Sequence, residues 1–319
     1  MIRITSPSRL HLTLIDMNAS WGRIDGGAGI SLESPHITIS AEKSHQIEVA
    51  GDSILKKRME DAARKVLPEG EGIRILIEED MYAHVGLGSG TQASLSAASA
   101  VNELYDLGMS VRELAIAVGR GGTSGIGVAS FESGGFIVDG GHKFSEKGSF
   151  SPSSASRADP APVLFRHDLP DWDIVLALPD TQGAHDAKEA DIFRKVCPIP
   201  LNEVQEVSHM ILMKMMPAII ENDIEAFGRA VNHIQTLGFK KREVQLQSQA
   251  VRDVISLMQE SGAYGAGMSS FGPVVYGVVD SREDAAYIME DVQDHLDRTI
   301  GGRVMITRAN NTGADIRRV

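Results

Sequence analysis

Apolar and polar positions alternate along residues 9–14, which puts Leu10, Leu12 and Leu14 on one face of an extended segment and Arg9, His11 and Thr13 on the other. Short apolar runs recur at 37–41, 47–49 and 73–77, so the first 80 residues read as mostly strand, beginning with Met1-Ile2-Arg3-Ile4-Thr5 rather than with a signal peptide. Residues 54–67 break the pattern with helical spacing, ended by Pro68. The Ala/Ser-rich run 93–101 predicts a second helix reaching about Tyr105. Ser110 followed by Glu113 forms a capping box that opens a short helix, closed near Gly119.

Beyond that point the pattern changes. Residues 143–161 are rich in Ser and Pro without apolar periodicity, and read as an interdomain linker or an exposed excursion. A strand is expected at 172–178, helices at 186–196, 202–216, 224–237 and 243–261, and a glycine-rich turn at 263–270. A strand at 274–279, a helix capped by Asp280 or Ser281 and running to Leu296, and a last strand at 303–307 complete the chain. Strand, helices, strand, helix, strand suggests a split βαβ or ferredoxin-like second domain. With 319 residues, two α+β domains are expected, at 1–160 and 161–319.

Composition narrows the partners. The net charge of −12 argues against a nucleic-acid surface, and an anionic substrate then needs a locally positive pocket. No apolar run approaches a membrane span. The single cysteine, Cys197, forbids an internal disulfide, fits a cytoplasmic setting and has no basic neighbour pattern, so it reads as inert.

The densest chemical signal is His84-Val85-Gly86-Leu87-Gly88-Ser89-Gly90-Thr91-Gln92, running straight into the Ala/Ser helix. Three glycines let the backbone turn tightly and approach a ligand, Ser89 or Thr91 can cap the helix, and the open N–H groups at the helix start favour an anion. A second glycine-rich stretch, 119–127, carries Arg120, Thr123 and Ser124 and leads through Gly134-Gly135 to Asp139-Gly140-Gly141-His142. So many glycines imply backbone packed close to a ligand or to another loop.

Three patterns in order resemble the GHMP superfamily of small-molecule kinases: Ser6-Pro7-Ser8-Arg9-Leu10-His11-Leu12, the loop Gly86-Leu87-Gly88-Ser89-Gly90, and Gly265-Ala266-Gly267-Met268-Ser269-Ser270-Phe271-Gly272-Pro273. The resemblance spans nearly the whole chain. It implies a ribosomal-S5-like N-terminal domain, a ferredoxin-like C-terminal domain and an active site between them. Two departures weaken phosphotransfer. Gly127 stands where many of these kinases carry Asp as the candidate base, and the loop continues Ser89-Gly90-Thr91-Gln92 where the kinases read Ser-Ser-Ala. The loop 84–92 and the run from Gly119 to His142 are more similar to the β-ribofuranosylaminobenzene 5′-phosphate synthase family.

That resemblance implies a decarboxylating phosphoribosyl transfer in tetrahydromethanopterin biosynthesis. Phosphoribosyl pyrophosphate would react with 4-hydroxybenzoate or 4-aminobenzoate to give a C-riboside, carbon dioxide and pyrophosphate, with Mg²⁺ as cofactor. The expected catalytic residues are Asp16, Arg23, Asp139 and His142, with Asp16 and Asp139 as metal ligands and Asp25 a further nearby carboxylate. The expected binding residues are Arg9, His11, His84, Gly86, Gly88, Ser89, Gly90, Thr91, Gln92, Arg120, Thr123, Ser124, Ser269 and Ser270. Most have a plainer alternative: a paired strand face for Arg9 and His11, turn formation for Asp16 and Asn18, a tight turn for Asp139 and His142, loop support for Ser269 and Ser270. His185 is a weaker candidate proton carrier on a loop. The Met210, Met213, Met215 and Met216 cluster reads as core packing. Two other readings stay open: an ATP-dependent small-molecule kinase, with Asp16 replacing the absent base, and a non-catalytic sugar-phosphate sensor. The fold allows a homodimer, and no coiled-coil or apolar repeat demands one.

Overall fold

The computed structural model describes residues 1–152, 156, 158–181 and 187–319, the side chains of 187–189 apart. The candidate His185 lies outside the described residues. Two sheets organise the chain. The first contains β1 (Ile2–Asp16), β2 (Arg23–Ser44), β3 (Ile47–Ala50), β4 (Gly72–Glu79), β5 (Phe136–Asp139), β6 (His142–Lys143) and β7 (Val163–His167). The second has β8 (Asp173–Pro179), β9 (Gly265–Met268), β10 (Val275–Val279) and β11 (Gly302–Thr307) in the order β11-β8-β10-β9, with neighbouring strands antiparallel. That places fourth, first, third and second strands side by side, the order of a ferredoxin-like sandwich. The last strand, β12 (Asp315–Arg318), returns to pair with β1.

Among the described residues helices fill three large cores and two small ones. Helices α1 (Lys56–Val66), α2 (Ser89–Leu104) and α3 (Val111–Val118) lie with Ile2, Ile4, Ile37, Ile39, Ile73 and Ile75 in one. A second is shared between the sheets, where Leu10, Leu12, Ile30 and Phe136 meet Trp172, Ile174, Leu176, Phe227 and Tyr276. The third holds α11 (Gln249–Glu260) and α12 (Arg282–Arg298) against the far face of the second sheet. The remaining helices are α4 (Ile126–Glu132), the single turn α5 (Phe144–Lys147), α6 (Ala187–Val196), α7 (Leu201–Met210), α8 (Met216–Ile220), α9 (Ile224–Ile234) and α10 (Gly238–Gln245), with a π-helical turn, Ile211–Met215, joining α7 to α8. Among the described residues no helix is long and apolar enough to cross a membrane.

Several expectations need correction. The alternation at residues 9–14 does not give one wet face, because His11 and Thr13 are buried and a bulge between them shifts the register against β2. The helix expected over 243–261 is two helices, since the Ser248 hydroxyl accepts from the Val251 N–H and starts α11 afresh. The turn expected at 263–270 contains β9. There α9 crosses so closely that a Cβ on Gly265 would stand 2.7 Å from the Gly228 Cα, so glycine is needed on both elements. Residues 143–149 are largely exposed, as expected, but one side chain turns inward. The Lys147 side chain is 2% exposed and donates to Asp25, Thr123 and the Ser151 carbonyl. In the Met cluster, Met215 is buried while Met213 is 61% exposed, so packing explains only part of it.

Candidate active site

The glycine loop joins β4 to α2 and forms one wall of a cleft of about 210 Å³. The α2 N-cap is Gly88, in the left-handed conformation, and neither Ser89 nor Thr91 caps the helix. Thr91 and Gln92 instead donate their N–H groups to the Gly88 carbonyl. The N–H groups of Ser89 and Gly90 therefore keep no protein acceptor among the described residues, which leaves them for an anion. Gly86 is needed because its φ is +96° and a Cβ would lie 2.4 Å from the Ser269 carbonyl oxygen.

Three arginines from three elements close on this loop. A Cβ on Gly90 would stand 2.9 Å from Arg120 Nη2 and 3.0 Å from Arg58 Nη1, and one on Gly88 would stand 3.0 Å from the Arg9 side chain. Arg9 donates to the Gly86 carbonyl and Arg120 to Thr91 Oγ1 at 3.3 Å. Among the described residues no carboxylate pairs with Arg58 or Arg120. Burial first, then repulsion from Arg58 and Arg9, draws the Arg120 guanidinium down to about 10, so it stays charged at neutral pH. Arg58 and Arg120, like charges held together with no carboxylate partner among the described residues, form with Arg9 a site for a multiply charged anion.

The opposite wall comes from β1 and the loop after β9. Ser269 Oγ accepts the His11 N–H at 3.0 Å and donates to the Gly86 carbonyl at 2.7 Å, locking three segments together. The buried His11 ring is pushed well below its ordinary value by burial and by the Arg9 and Lys240 charges, so it is neutral at pH 7. Lys240 and Glu243 of α10 form a buried ion pair at 2.6 Å, and Glu243 reaches the cleft wall. Leu14, Phe193 and Phe271 line an apolar part of the same cleft.

Of the binding residues expected from sequence, Arg9, His11, His84, Gly86, Gly88, Ser89, Gly90, Thr91, Arg120, Thr123, Ser124 and Ser270 line the cleft. Gln92 and Ser269 stand behind it. Gln92 accepts from Ser6 Oγ at 2.7 Å and donates to the Gly127 carbonyl at 2.8 Å.

The four expected catalytic residues do not line the cleft. Asp16 Oδ1 accepts the N–H groups of Asn18 and Ala19 in a turn. The exposed Arg23 donates to the Gly140 and Gly141 carbonyls, both at 2.9 Å. His142 engages both ring nitrogens, Nδ1 with Asp25 at 2.6 Å and Nε2 with the Asp159 carbonyl at 2.9 Å. Asp139 accepts from Ser124 Oγ and from the Gly125 and Gly141 N–H groups. Burial raises its carboxyl to about 6 against the pull of those bonds. It lies close behind the cleft, since a Cβ on Gly27 would be within 3.0–3.2 Å of His11 Nε2, Ser124 Oγ and Asp139 Oδ2 together. Sequence reading missed Arg58, Glu243, Phe193 and Phe271, and it named Asp25 only as a nearby carboxylate.

A resident Mg²⁺ would need carboxylate oxygens turned to the cleft. Among the described residues no group of three or more His, Cys, Asp or Glu is placed to hold a metal. Asp139 is occupied by its own loops and Asp16 by its turn, so these residues do not fit a protein-held magnesium cage. Gly127 faces Thr91, where a Cβ would meet Thr91 Cγ2 at 3.2 Å, a tight contact, and the position lacks an acid. Burial pushes the Cys197 thiol up to about 12, in keeping with an inert cysteine.

Comparison with known proteins follows the same lines. Residues 53–135 match the GHMP kinases N terminal domain and residues 215–298 the GHMP kinases C terminal family. The chain is 48% identical to a protein of Archaeoglobus fulgidus named beta-ribofuranosylphenol 5′-phosphate synthase, over 99% of both chains. It is 46% identical to one of the same name from Methanothermobacter thermautotrophicus, over 98% of this chain and 97% of the other. Among solved structures, homoserine kinase from Cytophaga hutchinsonii superposes with a TM-score of 0.69 at 18% identity, covering 99% of this chain and 97% of that one. Mevalonate kinase of L. major in complex with R-mevalonate gives 0.70 at 13% identity, over 97% and 96%. At such identities the kinases share the fold alone.

Proposed function

The chain is an enzyme of the beta-ribofuranosylphenol 5′-phosphate synthase family, built on the GHMP kinase fold, and from that premise we propose that it transfers a phosphoribosyl group to a para-substituted benzoate with loss of carbon dioxide. The donor in this reading is phosphoribosyl pyrophosphate and the acceptor 4-hydroxybenzoate or 4-aminobenzoate, as a step of tetrahydromethanopterin biosynthesis in the cytoplasm. The observation that carries it is the convergence of Arg9, Arg58 and Arg120 on the open N–H groups of the α2 start.

As the C1–O bond of the donor breaks, negative charge grows on the departing pyrophosphate. Preorganised guanidinium and N–H donors stabilise that charge, and removal of one such donor costs about 2.7–4 kcal/mol of barrier. Neutral His11 adds no charge beside them. Holding the acceptor's ipso carbon against C1 supplies orientation, worth roughly 7–11 kcal/mol at its best. Mg²⁺ belongs to this reading as a counter-ion bound to the donor's own phosphate oxygens rather than in a carboxylate cage.

The test is release of labelled carbon dioxide from carboxyl-labelled 4-hydroxybenzoate and 4-aminobenzoate, with and without phosphoribosyl pyrophosphate. Donor-dependent release is expected, and the faster acid names the acceptor. No release from either acid by folded protein, with ATP consumed on adding a small alcohol, would overturn the reading in favour of a kinase.

A further inference from the structure

The cleft has a second end that the donor's phosphates do not need. Leu14, Phe193 and Phe271 line it as the cleft-side members of a small buried cluster with Met17, Ile199, Val204 and Phe239, and the Phe193 and Phe271 rings stand 6.1 Å apart at 45°. Phe239 backs both, at 4.7 and 5.9 Å. Glu243 lines the same cleft. Its partner Lys240 also donates to the Ser270 carbonyl at 3.1 Å, the residue next to Phe271, so α10 and the aromatic corner are tied together. Glu243 is 1% exposed, yet it is on the cleft wall; its occluded Oε2 lies 2.6 Å from the Lys240 ammonium, and among the described residues no hydrogen-bond donor meets Oε1. A buried carboxylate with spare acceptor capacity next to flat apolar rings matches one ligand chemistry: a planar ring bearing a hydrogen-bond donor.

We propose that Leu14, Phe193 and Phe271 seat the acceptor's ring and that Glu243 accepts the hydrogen bond of its para hydroxyl or amine. The inference rests on the synthase reading and deepens it. With the para group at Glu243, where the Arg9 charge also acts, the carboxylate end of the ring is directed toward Arg58 and Arg120, where C1 of the donor must lie. The electrons then balance as follows for the hydroxy acid. The ring pair at the ipso carbon forms the C–C bond to C1, and the C1–O pair leaves with pyrophosphate. The hydroxyl oxygen feeds the ring while its proton passes to Glu243. When the bond to the carboxyl carbon breaks, its pair restores the ring, carbon dioxide departs and Glu243 returns the proton to the oxygen. Burial raises the Glu243 carboxyl, which brings it nearer to a group able to take and return that proton.

Steady-state kinetics of Glu243→Gln and Phe193→Leu, with melting temperatures as the fold check, test the proposal. Glu243→Gln is expected to lower kcat about 100-fold, the low end for general acid–base loss, with the KM for phosphoribosyl pyrophosphate within about twofold of wild type. Phe193→Leu is expected to raise the KM of the benzoate about tenfold with the donor KM unchanged, and it carries the test if Glu243→Gln does not fold. Equal damage to donor and acceptor KM, or an unchanged acceptor KM in Phe193→Leu, would overturn the assignment while leaving the synthase reading intact. Wild-type protein that releases no carbon dioxide from either benzoate overturns both.

Discussion

Two charged regions adjoin through Thr123 and Ser124 and are built on opposite rules. In the cleft, Arg58 and Arg120 sit together with no carboxylate partner among the described residues, and the glycine loop gives up its Cβ atoms to let them approach. Behind it, Asp25 is bound to His142 and Lys147, and Asp139 is bracketed by Ser124, Gly125 and Gly141. The first region is charge left unsatisfied for a ligand. The second is charge paired within the fold through Asp25 Oδ2 and both Asp139 oxygens, with Asp25 Oδ1 left buried, and it fixes the loop between α3 and α4 that carries Thr123 and Ser124 to the cleft. Proximity to glycine motifs therefore does not tell a binding group from a structural one; the count of its partners does.

The largest expected effect lies in the paired region. Asp25→Asn strips the partner from the buried Lys147 ammonium and should destabilise the protein by about 3–5 kcal/mol, read as a shift of the denaturant midpoint. Asp25 has φ +67°, a conformation Asn also accepts, so the loss would report charge and not backbone strain. Asp139→Asn should cost about 1–3 kcal/mol, because an amide cannot accept from both the Gly125 and Gly141 N–H groups. Either variant retaining wild-type stability would erase the contrast. Gly127→Asp sharpens it from the other side. It should lose about 1–3 kcal/mol through crowding against Thr91 and gain no ATP-dependent phosphotransfer, whereas a gain would revive the kinase reading.

The smallest effect is a pH dependence. His11 is held well below its ordinary value near 6.5 by burial and by Arg9 and Lys240. Its folded-state value is depressed, so its contribution to stability is full above about 6.5 and is lost as pH falls through the folded value. The stability of His11→Gln should fall less steeply below pH 6.5 than that of wild type. Parallel curves would remove His11 as a neutral buried group.

Much of this was legible in the chain. The glycine loop, the capping box at Ser110–Glu113 and the three superfamily segments locate the cleft, because each is a local pattern with a local physical reason. Arg58 was not legible, since it stands on the polar side of an amphipathic helix and reads as a solvated residue. Glu243 and Lys240, three apart on a helix, read as an ordinary surface pair until the fold buries them. Asp139 and His142 were legible as motif residues, but what they hold depends on segments far away in sequence, Asp25 and Asp159 among them. Arg23 likewise looked like a ligand group, and only its bonds to the Gly140 and Gly141 carbonyls reveal a brace for the turn between β5 and β6.

Pyrophosphate and phosphoribosyl pyrophosphate binding, titrated by calorimetry into wild type, Arg120→Ala and Arg23→Ala, tests the central contrast most directly. Loss of a charge-assisted donor worth about 1.5–3 kcal/mol should weaken both ligands roughly 10- to 150-fold in Arg120→Ala, while Arg23→Ala stays within about twofold of wild type. Wild-type affinity in Arg120→Ala together with a collapse in Arg23→Ala would contradict the account and move the anion site to the far side of the β5–β6 turn.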